Sequence, residues 1–355
     1  MAVREETEAQ PLAGQVALVA GATRGAGRGI ARMLGAAGAL VYCTGRSARG
    51  HPPATPGRPE TIDETAAMIA AEGGRAVAVR VDHTREEEVA ALAARVGEEA
   101  GRLDVLVNDI WGGDALIDWS QRFWELDLAN ARALIDRAIL SHLITARHLA
   151  PLMIERDRGL IVEVMDGRDP GYRGQILYDL VKSAVARLAY GMAMELAEAR
   201  ITALAVTPGF LRSEAVLEHF GVAEANWRDA IAKDPFFAES ETPCLVGRAV
   251  AALAADPDVR ARAGLTLLAA DLAAEYGFTD VDGRLPRFFA TFDARVAEIA
   301  AGDAPLDEEG RFLVWARYCQ IHKDPERHEQ AVSLAERLGL HGAGAGVAPS
   351  RPLVV

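Results

Sequence analysis

One glycine-rich turn constrains this chain more than any other feature. An apolar run at 16–20 (VALVA) leads into Gly21, Ala22, Thr23, Arg24, Gly25, Ala26 and Gly27, and a helical pattern opens at Arg28. Glycines 21, 25 and 27 read GxxxGxG, not the commoner GxGxxG. Such glycines permit a tight turn and let backbone N–H groups and a helix N-terminus reach a pyrophosphate. In a chain of 355 residues with 33 glycines the pattern alone is weak. Its place in the first strand–turn–helix makes it a dinucleotide signal.

The rest of the chain supports that placement. Apolar runs at 16–20, 39–45, 76–82, 103–109, 160–166, 201–209 and 265–270 are rich in Val, Leu and Ile without strict alternation. That is the pattern of strands buried on both faces. Helical patterns at 28–37, 61–72, 84–100, 130–155 and 179–198 lie between them. Strand–helix alternation predicts an α/β fold, a Rossmann-like doubly wound parallel sheet of about seven strands. The expected organisation is a flexible start at 1–12 and a dinucleotide-binding domain at 13–285. A proline-rich insertion at 47–60 and a substrate lid at 210–245 belong to that domain. A C-terminal α-helical extension at 286–340 and a flexible tail at 341–355 follow.

Composition excludes several functions. The net charge of −13 argues against nucleic-acid and anionic-membrane partners, because phosphate binding needs a basic face. The polar start resembles no signal peptide, and no apolar run approaches the ~20 residues that span a bilayer. Cys43, Cys244 and Cys319 are too scattered for a disulfide framework or a metal motif, which fits a cytoplasmic protein. His142, His148, His322 and His328 show no metal-ligand spacing, so no metal is expected.

Two patterns point to chemistry. The second strand ends at Arg46, where an NAD-binding unit usually places an acidic residue, and Arg24 lies inside the glycine turn. Two guanidiniums near the adenosine ribose favour a 2′-phosphate, hence NADP(H); the alternative is that both are solvated surface charges. Tyr178 and Lys182 stand four apart, on one face of a helix. With six tyrosines and three lysines, chance supplies such a pair about 0.05 times in this length. Ionising a tyrosine at neutral pH costs about 4 kcal/mol. A cation some 4 Å away, at an effective dielectric near 20, provides about that much, so Lys182 joined by an oxidised nicotinamide is expected to lower the pKa of Tyr178.

With this pair in view, residues 13–285 resemble the short-chain dehydrogenase/reductase family. The segment 271–284 (DLAAEYGFTDVDGR) resembles its "dehydrogenase/reductase family member 1"-like branch. The resemblance implies that Tyr178 is the acid/base and that Lys182 holds the nicotinamide ribose. It also implies cofactor contacts at Asp82 (adenine), Asn108, Pro208, Gly209 and Ser213, and homodimers or homotetramers built through 130–155 and 179–198. The chain departs from the family twice. The strand before the tyrosine carries Asp166 where the family has a serine, and Ala138 or a neighbour stands where the family has a helix asparagine. A protonated Asp166 could donate to the substrate oxygen, as a neutral aspartic acid does in ketosteroid isomerase. An ionised one would pair with Arg168 or Arg173.

Aromatic residues after strand ends, Trp111, Tyr172, Phe210 and Trp227 among them, suggest an apolar substrate pocket. The leading expectation is an NADP(H)-dependent oxidoreductase interconverting a carbonyl and an alcohol on an apolar small molecule. A non-redox isomerase or dehydratase using Tyr178 and Asp166, or a non-catalytic NADP-binding protein, are the alternatives.

Overall fold

The computed structural model describes residues 10–55, 57–167 and 172–303, together with Gly310 and Leu313. Most of the expected flexible start, the expected helical extension beyond 303 apart from those two residues, and the tail at 341–355 lie outside the described residues. In chain order the first half runs β1 (Val16–Ala20), α1 (Gly25–Ala36), β2 (Leu40–Gly45), α2 (Ile62–Ala71), β3 (Arg75–Arg80), α3 (Glu86–Ala100) and β4 (Val105–Asn108). The second half runs α4 (Leu128–Ile135), α5 (Ser141–Ile154), β5 (Gly159–Val164), α6 (Ile176–Glu195), β6 (Ile201–Thr207), α7 (Glu214–Phe220), α8 (Pro243–Ala255), β7 (Thr266–Leu268), α9 (Ala269–Tyr276) and α10 (Phe288–Ala301).

All seven expected strands form, and they join in one parallel sheet of order β3-β2-β1-β4-β5-β6-β7. Period-two alternation explains why both strand faces are apolar. Ala17 and Val19 of β1 enter a core with α1, α2 and α8, whereas Val16, Leu18 and Ala20 enter a second core with α3 and α5. The winding reverses between β1 and β4, where Ala20 lies beside Asn108. Ligand crevices of doubly wound sheets open at that place, outside the strand C-termini.

Three elements differ from expectation. The segment 130–155 is two helices joined by a π turn at Asp136–Leu140, a wider turn of the kind found near functional sites. The last strand stops at Leu268, because Ala269 already opens α9. The segment expected to form the lid packs as a small core of its own, in which Phe210, Trp227 and Phe237 meet Phe288, Phe289 and Phe292. The α10 helix therefore packs against this segment. Among the described residues no helix is long and apolar enough to cross a membrane.

The glycine turn is held in place by α8. Helices α1 and α8 approach until a Cβ on Gly29 would stand 1.9 Å from the carbonyl oxygen of Pro243, and one on Gly247 would stand 2.5 Å from that of Gly29. A side chain at either position must push the helices apart. Gly29→Ala is expected to cost about 1–3 kcal/mol through overpacking and to lower the melting temperature. An unchanged melting temperature would show that the two helices separate freely.

Candidate active site

Loops leaving the C-terminal ends of β1, β4, β5 and β6 meet around one cavity of about 380 Å³. Its floor depends on two glycines. Gly21 has φ +97°, and a Cβ there would stand 2.0 Å from the carbonyl oxygen of Asp109. A Cβ on Gly27 would stand 2.3 Å from the carbonyl oxygen of Gly21. The turn can therefore lie flat against the exit of β4. Helix α1 begins at Gly25, so its first N–H groups point into the cavity, where no helical carbonyl can meet them. Gly25 N–H donates to Glu214 Oε2 at 2.8 Å.

At one end of the cavity stand Arg24, Arg46 and Asp82. Arg24 Nη2 donates to Thr55 Oγ1 at 3.2 Å, so the proline-rich loop wraps the same end. Asp82 Oδ1 accepts from the Thr84 amide and hydroxyl. Burial lowers the pKa of Arg46, while the charge of Asp82 opposes the shift.

At the other end, Gln175 caps α6 by accepting from the amides of Leu177 and Tyr178 at 2.6 and 3.0 Å. That cap places Tyr178 in the first turn, with Lys182 one turn on. Tyr178 OH donates to Asp166 Oδ2 at 2.6 Å. Its ring meets Trp111 edge-on at 5.7 Å and Trp119 at a tilt at 5.2 Å. Lys182 Nζ lies 4.5 Å from the centroid of Trp111 and 5.5 Å from that of Tyr178. Arg173 Nε donates to the main-chain oxygen of Asp166 at 2.8 Å, while its Nη1 reaches Asp179 at 3.0 Å.

Burial and then the Asp166 carboxylate raise Tyr178 well above the ordinary tyrosine range, against the lowering effect of Arg173. Burial lowers the pKa of Lys182, against the charges of Asp166 and Asp109. Burial also raises Asp166, against the pull of Lys182 and the Tyr178 hydrogen bond. The pair is arranged to hold protons.

Comparison with known proteins bears on this arrangement. The short chain dehydrogenase family model matches residues 15–220. The chain belongs to the short-chain dehydrogenase family. Relatives of this dehydrogenase include "Dehydrogenase/reductase SDR family member 1" of Mus musculus, 34% identical over 296 residues, covering 82% of this chain and 91% of that one. The Homo sapiens protein of the same name is 35% identical over 281 residues, 78% and 86% of the two chains. A metagenomic short-chain oxidoreductase solved in complex with NADP superposes with a TM-score of 0.56. It is 26% identical and covers 73% of this chain and 97% of its own. The dehydrogenase is thus an oxidoreductase by family.

Of the residues expected at the site, Gly21, Thr23, Arg24, Gly25, Ala26, Arg46, Asp82, Trp111, Asp166, Tyr178, Lys182, Pro208 and Ser213 all border the cavity. Gly27 supports the turn from behind. Five others stand elsewhere. Asn108 is fully buried in β4 and donates to Glu163 Oε1 at 2.7 Å, so it ties two strands together; the cavity wall falls to Asp109. The Gly209 amide donates to the buried Glu241 carboxyl. Phe210 and Trp227 are buried in the aromatic core of the lid, and Tyr172 is exposed and does not line the cavity. Arg168 lies outside the described residues.

Sequence reasoning missed Trp119, which comes from a loop with no recognisable signal, and the weight of Asp109 and His142. His142 is buried, with Nδ1 2.5 Å from Glu163 Oε2 and Nε2 3.0 Å from the carbonyl oxygen of Ile110. Burial lowers its pKa, but Glu163, the Ile110 carbonyl and Asp109 together raise it above the ordinary histidine value.

Burial pushes Asp109 up to about 7, against the lowering effects of Lys182 and the Gly27 amide. The folded state then holds a proton that the unfolded chain loses near pH 4. Stability from this group is complete below about pH 4 and is lost as pH rises through about 7. The Tm gained by Asp109→Asn should therefore grow between about pH 5 and pH 8. A gain that does not change with pH would show that Asp109 titrates as an exposed carboxylate.

Proposed function

We propose that this dehydrogenase uses NADP(H) to interconvert a carbonyl and an alcohol on an apolar small molecule. The observation that carries the reading is the Tyr178–Asp166 hydrogen bond, with Lys182 beside it, at the far end of the cavity that the glycine turn opens. The residues present fit a dinucleotide. Side chains at Gly21 and Gly27 would collide with backbone, the first N–H of α1 faces the cavity, and Arg24 and Arg46 flank the end where a 2′-phosphate would lie. The bound NADP reported for the metagenomic relative supports the same choice.

When bound, the nicotinamide supplies or accepts hydride at its C4. The protein manages the proton and the substrate. Tyr178 OH donates its proton to the substrate oxygen as negative charge develops there. Asp166, its acidity weakened by burial, acts as the neighbouring proton store for the phenol. Lys182 holds the nicotinamide ribose and places one positive charge in a water-poor pocket, where it counts most. Trp111 and Trp119 frame Tyr178 and favour an apolar substrate. The 2.6 Å contact of a carboxyl with a phenol also suits a second reading, isomerisation or dehydration with NADP retained. Turnover without a change in nicotinamide absorbance would favour it.

Exposed Leu143 and Ile154 on α5, with Leu180, Tyr190 and Met194 on α6, support a homodimer or homotetramer built on these two helices. Free, buried Cys43 and Cys244 suit a reducing cytoplasm.

Wild-type protein is expected to bind NADPH more tightly than NADH, and Arg46→Asp to reverse that order in a fluorescence titration. Equal affinities in the wild type would remove Arg46 from cofactor choice. Tyr178→Phe should retain NADPH binding and lower kcat by about 10²–10⁴-fold, the usual worth of a positioned acid. A variant with wild-type turnover would move the proton transfer to another group.

A further inference from the structure

The first N–H of α1 already has an anionic partner. Under the reading above, Gly25 N–H is the donor that a dinucleotide pyrophosphate would take. Glu214 Oε2 takes it here at 2.8 Å, while Glu214 Oε1 lies 3.7 Å from Arg28 Nη1. Glu214 is the first residue of α7, directly after Ser213, so it belongs to the lid and not to the cofactor half of the fold. A second tie runs from the same helix, where Glu218 pairs with Arg58 of the proline-rich loop at 2.7 Å.

We propose that Glu214 is a latch. Its carboxylate sits in the phosphate seat, and an entering dinucleotide expels it, so that the tie between α7 and the glycine turn is broken as the cofactor binds. The proposal rests on the dinucleotide reading of the cavity.

Three features support it. Two anions cannot share one N–H donor, and a pyrophosphate brought beside an ionised carboxylate is repelled in a site of reduced dielectric. The Glu214 side chain is 28% exposed and can swing into water. Only the Glu214 side chain has to move, because α7 itself packs on the aromatic core through Val216, Leu217 and Phe220 and can stay in place. Release also frees Arg28 to face the incoming phosphate, although Arg28 keeps Glu64 at 2.7 Å.

The test compares wild type with Glu214→Gln and Glu214→Asp, the latter too short to reach Gly25. Titrations use NADPH, NADH and adenosine 2′-monophosphate, which carries no pyrophosphate; melting curves show that each variant is folded. Both variants are expected to bind both dinucleotides about tenfold more tightly, the equivalent of one charge-assisted hydrogen bond. They should bind adenosine 2′-monophosphate like wild type. Unchanged or weaker dinucleotide affinity in the folded variants overturns the latch and leaves the cofactor reading standing. Should one variant not fold, the other decides by the same criterion. A gain that includes adenosine 2′-monophosphate also overturns the latch, since it would reflect general charge removal. Absence of any nucleotide binding in wild type and variants overturns the cofactor reading, and the latch with it.

Discussion

The contact of the turn after β1 with the exit of β4 is the constraint on which the rest of the site depends. Gly21 lies so close to the Asp109 carbonyl, and Gly27 so close to Gly21, that any Cβ would displace one strand end from the other. Only with both glycines can α1 start at Gly25, directly over the switch point of the sheet, with its first N–H groups facing the crevice. The approach of α1 to α8 through Gly29 and Gly247 fixes the same helix from its other side. The cavity is a consequence of backbone packing, and the side chains that line it are added to a shape already made.

Those side chains set an unusual balance of charge. Asp109, Asp166, Tyr178 and Lys182 share a buried region, and burial moves each toward its neutral form. Lys182 restrains the two carboxyls, whereas burial and then Asp166 raise the tyrosine. A site of this kind stores protons near neutral pH and suits the donation of one to a developing alkoxide. A serine in place of Asp166 would carry no charge and would leave the phenol less basic.

The lid acquires its shape from a separate device. Trp227 is held among the guanidiniums of Arg212, Arg228 and Arg284 at 4.2, 4.5 and 4.5 Å, and Arg212 is fully buried, paired with Glu224 and Asp282. Around this knot the phenylalanines of the lid and of α10 pack into a core of their own. Helix α7, which faces the groove, packs on that core through Val216, Leu217 and Phe220. The lid thus combines a rigid base with a light, polar front edge held by Glu214 and Glu218.

Much of this was legible in the chain itself. Continuous Val, Leu and Ile runs separated by helical periods dictate a parallel sheet covered on both faces, and all seven strands are found. The glycine spacing marks the turn, and the spacing of Tyr178 and Lys182 survives folding because one helical turn brings i and i+4 together. Such features are local, so neighbours in sequence suffice to specify them. What tertiary structure alone decided is which distant groups meet. Whether Asn108 or Asp109 faces the cavity is a matter of one residue of strand register, and the direction in which Tyr178 titrates depends on Asp166 from another element. Whether Phe210 and Trp227 face a ligand or a core was settled by a helix some sixty residues farther along the chain. The placement of Glu214 over Gly25 likewise joins residues 189 positions apart. Burial and contact between remote segments set pKa values and side-chain facing, and no local pattern encodes either one.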